Sequence, residues 1–246
     1  MFAALQTWLL NLKKQFIFIF IDGARWKHLA NGLVNTLKIT FVALALGLAI
    51  GVIIAIVRST WDKNSESMRP GPGKFLLGAA NWFCKLYLTV IRGTPVIVQL
   101  MIIYYIIFAS SNNGVGIAML AFGINSGAYV AEIIRGGIMS IDAGQFEAGR
   151  SLGLNFTQTM RHIIIPQAFK NVLPALANEF IVLLKETSVA GYVSVQDLTK
   201  GGDIIRGRTY SAFMPLIAVA LIYLVLVIFF TWLVGKLERR LRSSDH

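Results

Sequence analysis

Cysteine, histidine and acidic residues are scarce in this chain. A single cysteine, Cys84, excludes an internal disulfide and a cysteine-based zinc site. His28 and His162 have nothing at ligand spacing and read as ordinary polar side chains. Charged residues make up only 14% of the sequence against 56% hydrophobic, so water is not the main solvent of this fold. Acidic residues number 12 against 23 basic ones. The basic residues fall between and after apolar runs and form no stripe interleaved with aromatics, which speaks against a nucleic-acid partner. Gly71-Pro72-Gly73-Lys74 lacks the leading Gly and the following Ser or Thr of a phosphate-binding loop, so the chain is not expected to bind ATP itself. A membrane-embedded enzyme would need an acid and base, a nucleophile or a metal set at one depth, and only Glu132 and Glu179 offer themselves. No repeat and no low-complexity tract is present. Residues 16–21 follow Lys13 and Lys14 without a small-residue cleavage site, so no cleaved signal peptide is expected.

What the chain has is apolar length. Residues 39–57 and 212–234 can each cross the roughly 30 Å hydrocarbon layer as a helix. Lys236, Arg239, Arg240 and Arg242 trail the second run and place the C-terminus in the cytoplasm. Residues 1–32 mix Trp8, Phe16, Phe18, Phe20 and Trp26 with Lys13, Lys14, Arg25 and Lys27, the composition of an interfacial segment. A first span is expected over 33–57, with Gly47 and Gly51 at the spacing that lets a second helix approach closely. Residues 58–74, containing Asn64-Ser65-Glu66-Ser67 and Pro70-Gly71-Pro72-Gly73, read as a surface loop. The 75–91 stretch is interrupted by Lys85, and Arg92-Gly93-Thr94-Pro95 breaks it before 96–108, which is short for a crossing. Further spans are expected over 118–141 and over 163–184, the latter bent by Pro166 and Pro174. A polar stretch at 188–210 leads to the last span, and 242–246 is a tail.

Between these last two internal spans, residues 144–158 are too polar for the bilayer but patterned as two short helices. Gly153 suits a left-handed stop, and Asn155 with Gln158 suits an N-terminal cap. The expectation is a compact helical elbow on the cytoplasmic side, where the Asn155-Phe156-Thr157 sequon cannot be glycosylated. Glu132 and Arg135, one turn apart, can neutralise each other. Glu179 has no basic residue at pairing distance on its own helix, and an unpaired carboxylate at membrane depth is a site candidate by default. Counted from residue 163 it lies about 24 Å along its helix, outward of the midplane. A hydrogen bond to a neighbouring helix is the structural alternative, and Tyr129 on the preceding span is the fallback for the site.

Glu147-Ala148-Gly149, then Gly153, then Ile163-Ile164-Ile165-Pro166 resembles the coupling-loop motif of permeases of ATP-binding cassette (ABC) importers. Gly149 stands where that family usually has Ala, and Ile165 where it has Leu; the spacing is intact. Arg92-Gly93-Thr94-Pro95 with Gln99, the 128–137 segment, Pro166-Gln167-Ala168 and Leu184-Lys185-Glu186-Thr187-Ser188 are similar to the polar amino acid branch. The resemblance implies an all-α integral membrane protein of the cell membrane, a type I ABC importer permease whose domain at 33–241 has five transmembrane helices and a coupling loop at 144–158. It implies a second permease subunit, identical or related, two cytoplasmic ATPase subunits that carry ATP and Mg, and an extracellular solute-binding protein. No cofactor is expected on this chain. The cargo would be a polar amino acid, basic or glutamine, with Glu179, Tyr129, Glu132, Thr94 and Gln99 as its candidate contacts and Gln145, Glu147, Ala148, Gly149 and Gly153 as the candidate ATPase contacts. Five spans put the N-terminus outside, whereas Lys13, Lys14, Arg25 and Lys27, or a sixth span at 75–91, would put it inside. A secondary transporter or channel is the alternative class.

Overall fold

The computed structural model describes residues 2–66 and 68–242, which leaves residues 243–246 of the expected tail outside the described residues. The chain starts with α1 (Phe2–Phe16) and a π turn, then reverses at Gly23 with φ 63, a left-handed conformation that glycine adopts without steric cost. Next comes α2 (Trp26–Asn64), which begins inside the stretch expected to lie at the interface. It also continues through residues 58–64, which the sequence assigned to a loop. The reason is local: no glycine or proline occurs between Arg58 and Arg69, so the helix runs on to Asn64 ahead of the Pro70-Gly71 break. Pro72 then opens α3 (Pro72–Gly93), at a position where its missing N–H has no intrahelical bond to lose.

Small residues set the main helix pair. A Cβ added at Gly51 of α2 would stand 2.4 Å from Val130 Cγ1 of α5 (Gly114–Met139), and one at Gly47 would stand 3.0 Å from Ser126 Oγ. From the other side, Gly123 abuts Leu46 and Gly127 abuts Ile50. The backbones approach as closely as the Gly47/Gly51 spacing predicts, held by van der Waals contact that bilayer lipid cannot match. The paired numbers rise together, so α2 and α5 run parallel. The chain between them must therefore cross back once, or an odd number of times.

The return path is sharply bent. α3 lies antiparallel to α2, with Gly78 against Trp61 and Asn81 Oδ1 accepting from Arg58 Nη1 at 3.4 Å. It stops at Gly93, and α4 (Val96–Ile102), extended by a π turn to Ile107, leaves at 108°. Thr94 at the corner is extended, φ −124 and ψ 146, as the proline ring that follows it demands. Pro95 has no N–H for the carbonyl of Ile91, and an unpaired carbonyl in a bilayer costs several kcal/mol. The Gln99 amide takes its place: Nε2 donates to Ile91 O at 2.7 Å, to Thr94 O at 3.0 Å and to Thr94 Oγ1 at 2.8 Å. In the sequence 75–91 is interrupted by Lys85 and 96–108 is short for a crossing; taken together the two helices are long and apolar enough for one broken span.

After α5 come the short helices α6 (Ala143–Ser151) and α7 (Phe156–Thr159), then α8 (Ile165–Glu186). Pro166 sits in the first turn of α8 and does not bend it; the irregularity falls in the π turn Met160–Ile164 just before. Pro174 lies within the helix. α9 (Leu198–Thr209) and α10 (Phe213–Arg242) complete the fold. α9 is clipped to the first turns of α2: Thr36 Oγ1 accepts from Leu198 N–H at 3.0 Å, and Asn35 Nδ2 donates to Gln196 O at 2.9 Å. Asp197 caps α9 by accepting from the N–H groups of Thr199 and Lys200, both at 3.0 Å, and its burial pushes the carboxyl above the usual range. The opposite end of α2 reaches α6, where the Lys63 ammonium sits 4.5 Å from the Phe146 ring centroid. α2 thus has α9 at one end and the elbow at the other.

Candidate functional site

Three groups of residues carry the candidate chemistry. The first is the elbow, whose shape is sealed by its own backbone. Asp142 accepts from Gly144 N–H at the start of α6. At its end, Gly153 with φ 78 lets its N–H reach Arg150 O at 2.9 Å while Leu154 N–H reaches Gly149 O at 3.0 Å, the paired bonds of a Schellman stop. Asn155 and Gln158 then form a reciprocal capping box, both bonds 2.9 Å. Both caps read from the sequence are therefore present. Glu147 and Ala148 are exposed on α6, and Leu152 beside the stop is 75% exposed. Gln145 faces inward instead, accepting from Gln167 Nε2 of α8 at 3.2 Å. Gly149 is buried, and a Cβ there would lie 2.6 Å from Thr159 Cγ2 and Oγ1. This contact explains why glycine stands where the resembled motif has alanine.

The second group lies at mid-depth. Gly47 is next to the midpoint of the apolar run 39–57 and packs on Ser126, so residues around Ser126 are near the bilayer centre. Glu179 of α8, 8% exposed, accepts from Ser126 Oγ at 2.9 Å. It is therefore level with the midplane and not outward of it. The sequence count began too early in the chain: Gln167 and Asn171 still bond Gln145 and Ser140, so the first turns of α8 belong to the elbow side. The residue beside Ser126, Asn125, turns toward α4, and its Nδ2 donates to Gln99 Oε1 at 3.0 Å. Thr94 and Gln99, candidate substrate contacts, are engaged in bracing the bend, and Asn125 Oδ1 is buried without a partner.

The third group lines a cavity of about 590 Å³ between α2, α3 and α5, with Arg58, Lys85, Thr89, Arg92, Tyr129 and Glu132 among its walls. Arg92 lies over the Tyr129 ring, 5.7 Å from its centroid. Glu132 pairs with Arg135 at 3.0 Å as the spacing indicated, and Arg135 also reaches Asp62 of α2 at 3.4 Å. The structure thus brings Tyr129 and Glu132 together with Gly93 of the bend, and puts Glu179 in a separate contact across α5. The cationic wall was missed by sequence reasoning. The signal was available, because Lys85 and Arg92 are ionisable residues within or beside an apolar run, as much as Glu132 is. Among the described residues no group of His, Cys, Asp and Glu could hold a metal ion.

The family described as "Binding-protein-dependent transport system inner membrane component" matches residues 73–243. The arginine transport system permease protein ArtQ of Bacillus subtilis is 36% identical over 217 residues, covering 87% of this chain and 92% of the relative. The glutamine transport system permease protein GlnP of Escherichia coli is 35% identical over 218 residues, covering 87% and 93%. Among solved structures, one titled as an amino acid ABC transporter with histidines matches with a TM-score of 0.78 at 40% identity, covering 90% of this chain and 98% of that one. The MetNI methionine transporter in inward-facing conformations, at 21% identity and a TM-score of 0.71 over 87% of this chain and 95% of that one, shares the fold.

Proposed function

This chain belongs to the binding-protein-dependent transport system inner membrane components, and from that premise we propose that it forms the path by which an ABC importer takes up a polar amino acid, basic or glutamine. It is a multi-pass permease subunit of amino acid transport. The cargo follows the relatives named for arginine and glutamine. In this reading α2, the bent α3/α4 pair, α5, α8 and α10 make five spans, with the elbow and C-terminus in the cytoplasm and α9 and the N-terminus outside. The permease domain is 33–241. A second permease subunit completes the path, two ATPase subunits bind ATP and Mg and hydrolyse ATP, and a solute-binding protein delivers the amino acid to the α9 side. The comparisons give the secondary-transporter alternative no support.

The observation that carries the reading is the elbow. A short helix closed by a Schellman stop and a capping box, at the end of the molecule where α2 and α5 both finish, is a rigid lever with Glu147, Ala148 and Leu152 turned outward. Gly149 and Gly153 shape that lever, and Gln145 fastens it to α8. Glu179, Tyr129 and Glu132 contact the amino acid in the membrane, while Thr94 and Gln99 fix the bend beside it. The test is uptake of labelled arginine and glutamine by vesicles holding the permease with its ATPase and binding protein. Uptake that needs both ATP and the binding protein is expected, with Glu179→Gln lowering it while ATP hydrolysis persists. Uptake driven by an ion gradient without ATP would refute the reading.

A further inference from the structure

We propose that Arg92, Lys85 and Arg58 form an exit lane for the α-carboxylate of the translocated amino acid, running from the middle of the bilayer to its cytoplasmic face. The proposal rests on the transport reading above and adds to it the substrate group that is held and the direction in which it leaves. All three side chains border the same cavity of about 590 Å³. Their depths differ. Arg92 stacks on Tyr129, one turn inward of Ser126 at the midplane, and Arg58 closes the apolar run of α2 beside Asn81. Lys85 lies between them on the face of α3 that carries Leu88, Thr89 and Arg92, about 10 Å along the helix from Arg92.

Nothing on the cavity wall neutralises this charge. Glu132 is its acidic residue, and it is held by Arg135, which also takes Asp62. Among the described residues no carboxylate pairs with Arg58, Lys85 or Arg92, and Arg58 Nε is buried without a partner. A cation at membrane depth that has no counterion is costly unless it faces water or a ligand, and the cavity supplies the space for either. The missing counterion is an anion. A lipid phosphate fits the chemistry but not the depth, since headgroups lie about 15 Å from the centre of the hydrocarbon layer and Arg92 is within a turn of it. Every α-amino acid carries a carboxylate, and cations at successive depths offer it a partner at each stage, weak enough in a wet cavity to release it. Of the two proposed cargoes the lane favours glutamine with its uncharged side chain, since it repels a basic one.

The experiment reads the field of the lane without needing turnover. Cys84 is the only native thiol, so Cys84→Ala with Thr89→Cys places one thiol on the cavity wall of the complete permease–ATPase complex. Its reaction rates with sulfonatoethyl methanethiosulfonate and with the trimethylammonioethyl reagent are each divided by the rate at a free thiol. The anionic reagent is expected to be favoured by about tenfold or more, the enrichment a cleft of one charge sign gives its counterion. That preference should collapse when Lys85→Gln and Arg92→Gln are added. A ratio near one, a preference for the cationic reagent, or a thiol that neither reagent reaches would overturn the lane. Nanodiscs with and without phosphatidylglycerol separate the two sources of anion: an unchanged ratio supports the amino acid, and a ratio abolished by the anionic lipid assigns the cations to headgroups and overturns the proposal. A failed transport reading would show instead as absent uptake with the ratio intact, and a failed lane as normal uptake with a ratio near one.

Discussion

The elbow and the mid-depth contacts are built on opposite plans. In the elbow the capping bonds join residues close in sequence: Asp142 to Gly144, Gly149 to Leu154, Asn155 to Gln158. At mid-depth the bonds join distant segments, Gln99 to Asn125 and Ser126 to Glu179. The elbow is largely exposed and owes its shape to its caps, with the Gln145–Gln167 bond tying it to α8, which suits a part that moves as one piece. The buried mid-depth groups are shielded from water, so Gln99, Asn125, Ser126 and Glu179 bond across helices. Changes in the elbow should therefore act on coupling, and changes at mid-depth on assembly and on the path.

The largest effect is expected at the close approach of α2 and α5. Gly51→Val would set its side chain against Val130 and push the two helices apart, costing about 3 kcal/mol as overpacking. Thermal unfolding of the purified complex would show it, and Val130→Ala should recover part of the loss. Equal stability for both would mean that the pair does not depend on this contact. Next comes the bend. Gln99→Leu strips Ile91 O and Thr94 O of their donor, an expected loss of about 1–3 kcal/mol. Adding Pro95→Ala restores an N–H that can serve Ile91, so the double variant should be more stable than Gln99→Leu alone; additive losses would refute the bracing role.

On the elbow side the effects on stability are smaller and those on coupling larger. Gly153→Val must hold a left-handed φ of 78, a strain of about 1–2 kcal/mol. Its expected signature is a loosened elbow by proteolysis in an otherwise unchanged protein. Gly149→Ala is expected to cost about 1 kcal/mol through the clash with Thr159, and Thr159→Ala should remove that penalty. Failure of the rescue would leave the glycine at this position unexplained.

The same contrast decides what the sequence disclosed. Cap residues act at fixed offsets of two to five positions, so Gly153, Asn155 and Gln158 could be read directly, as could the Gly47 and Gly51 packing face and the Glu132–Arg135 pair. The bend could not. Thr94-Pro95 marked a break, but the reading of both halves as one crossing rests on the parallel run of α2 and α5, a relation between residues far apart. Gln99 entered as a candidate substrate contact through the resemblance of the Arg92–Pro95 segment, and its bonds to Ile91 O and Thr94 could be seen only once the bend was in place. Glu179 met the hydrogen-bonding partner that its alternative reading called for, Ser126, but deeper in the membrane than the sequence count placed it. The cationic wall needed α3 to be laid against α2 before Arg58, Lys85 and Arg92 shared a cavity.

The central claim is that the elbow transmits ATP hydrolysis to the path, and its most direct test is the number of amino acids taken up per ATP hydrolysed. In vesicles holding the complete transporter, Glu147→Lys combined with Gly153→Val is expected to lower that ratio about tenfold, a change of about 1.4 kcal/mol in coupling, while membrane insertion and basal hydrolysis persist. An unchanged ratio, with hydrolysis still stimulated by the loaded binding protein, would contradict the account.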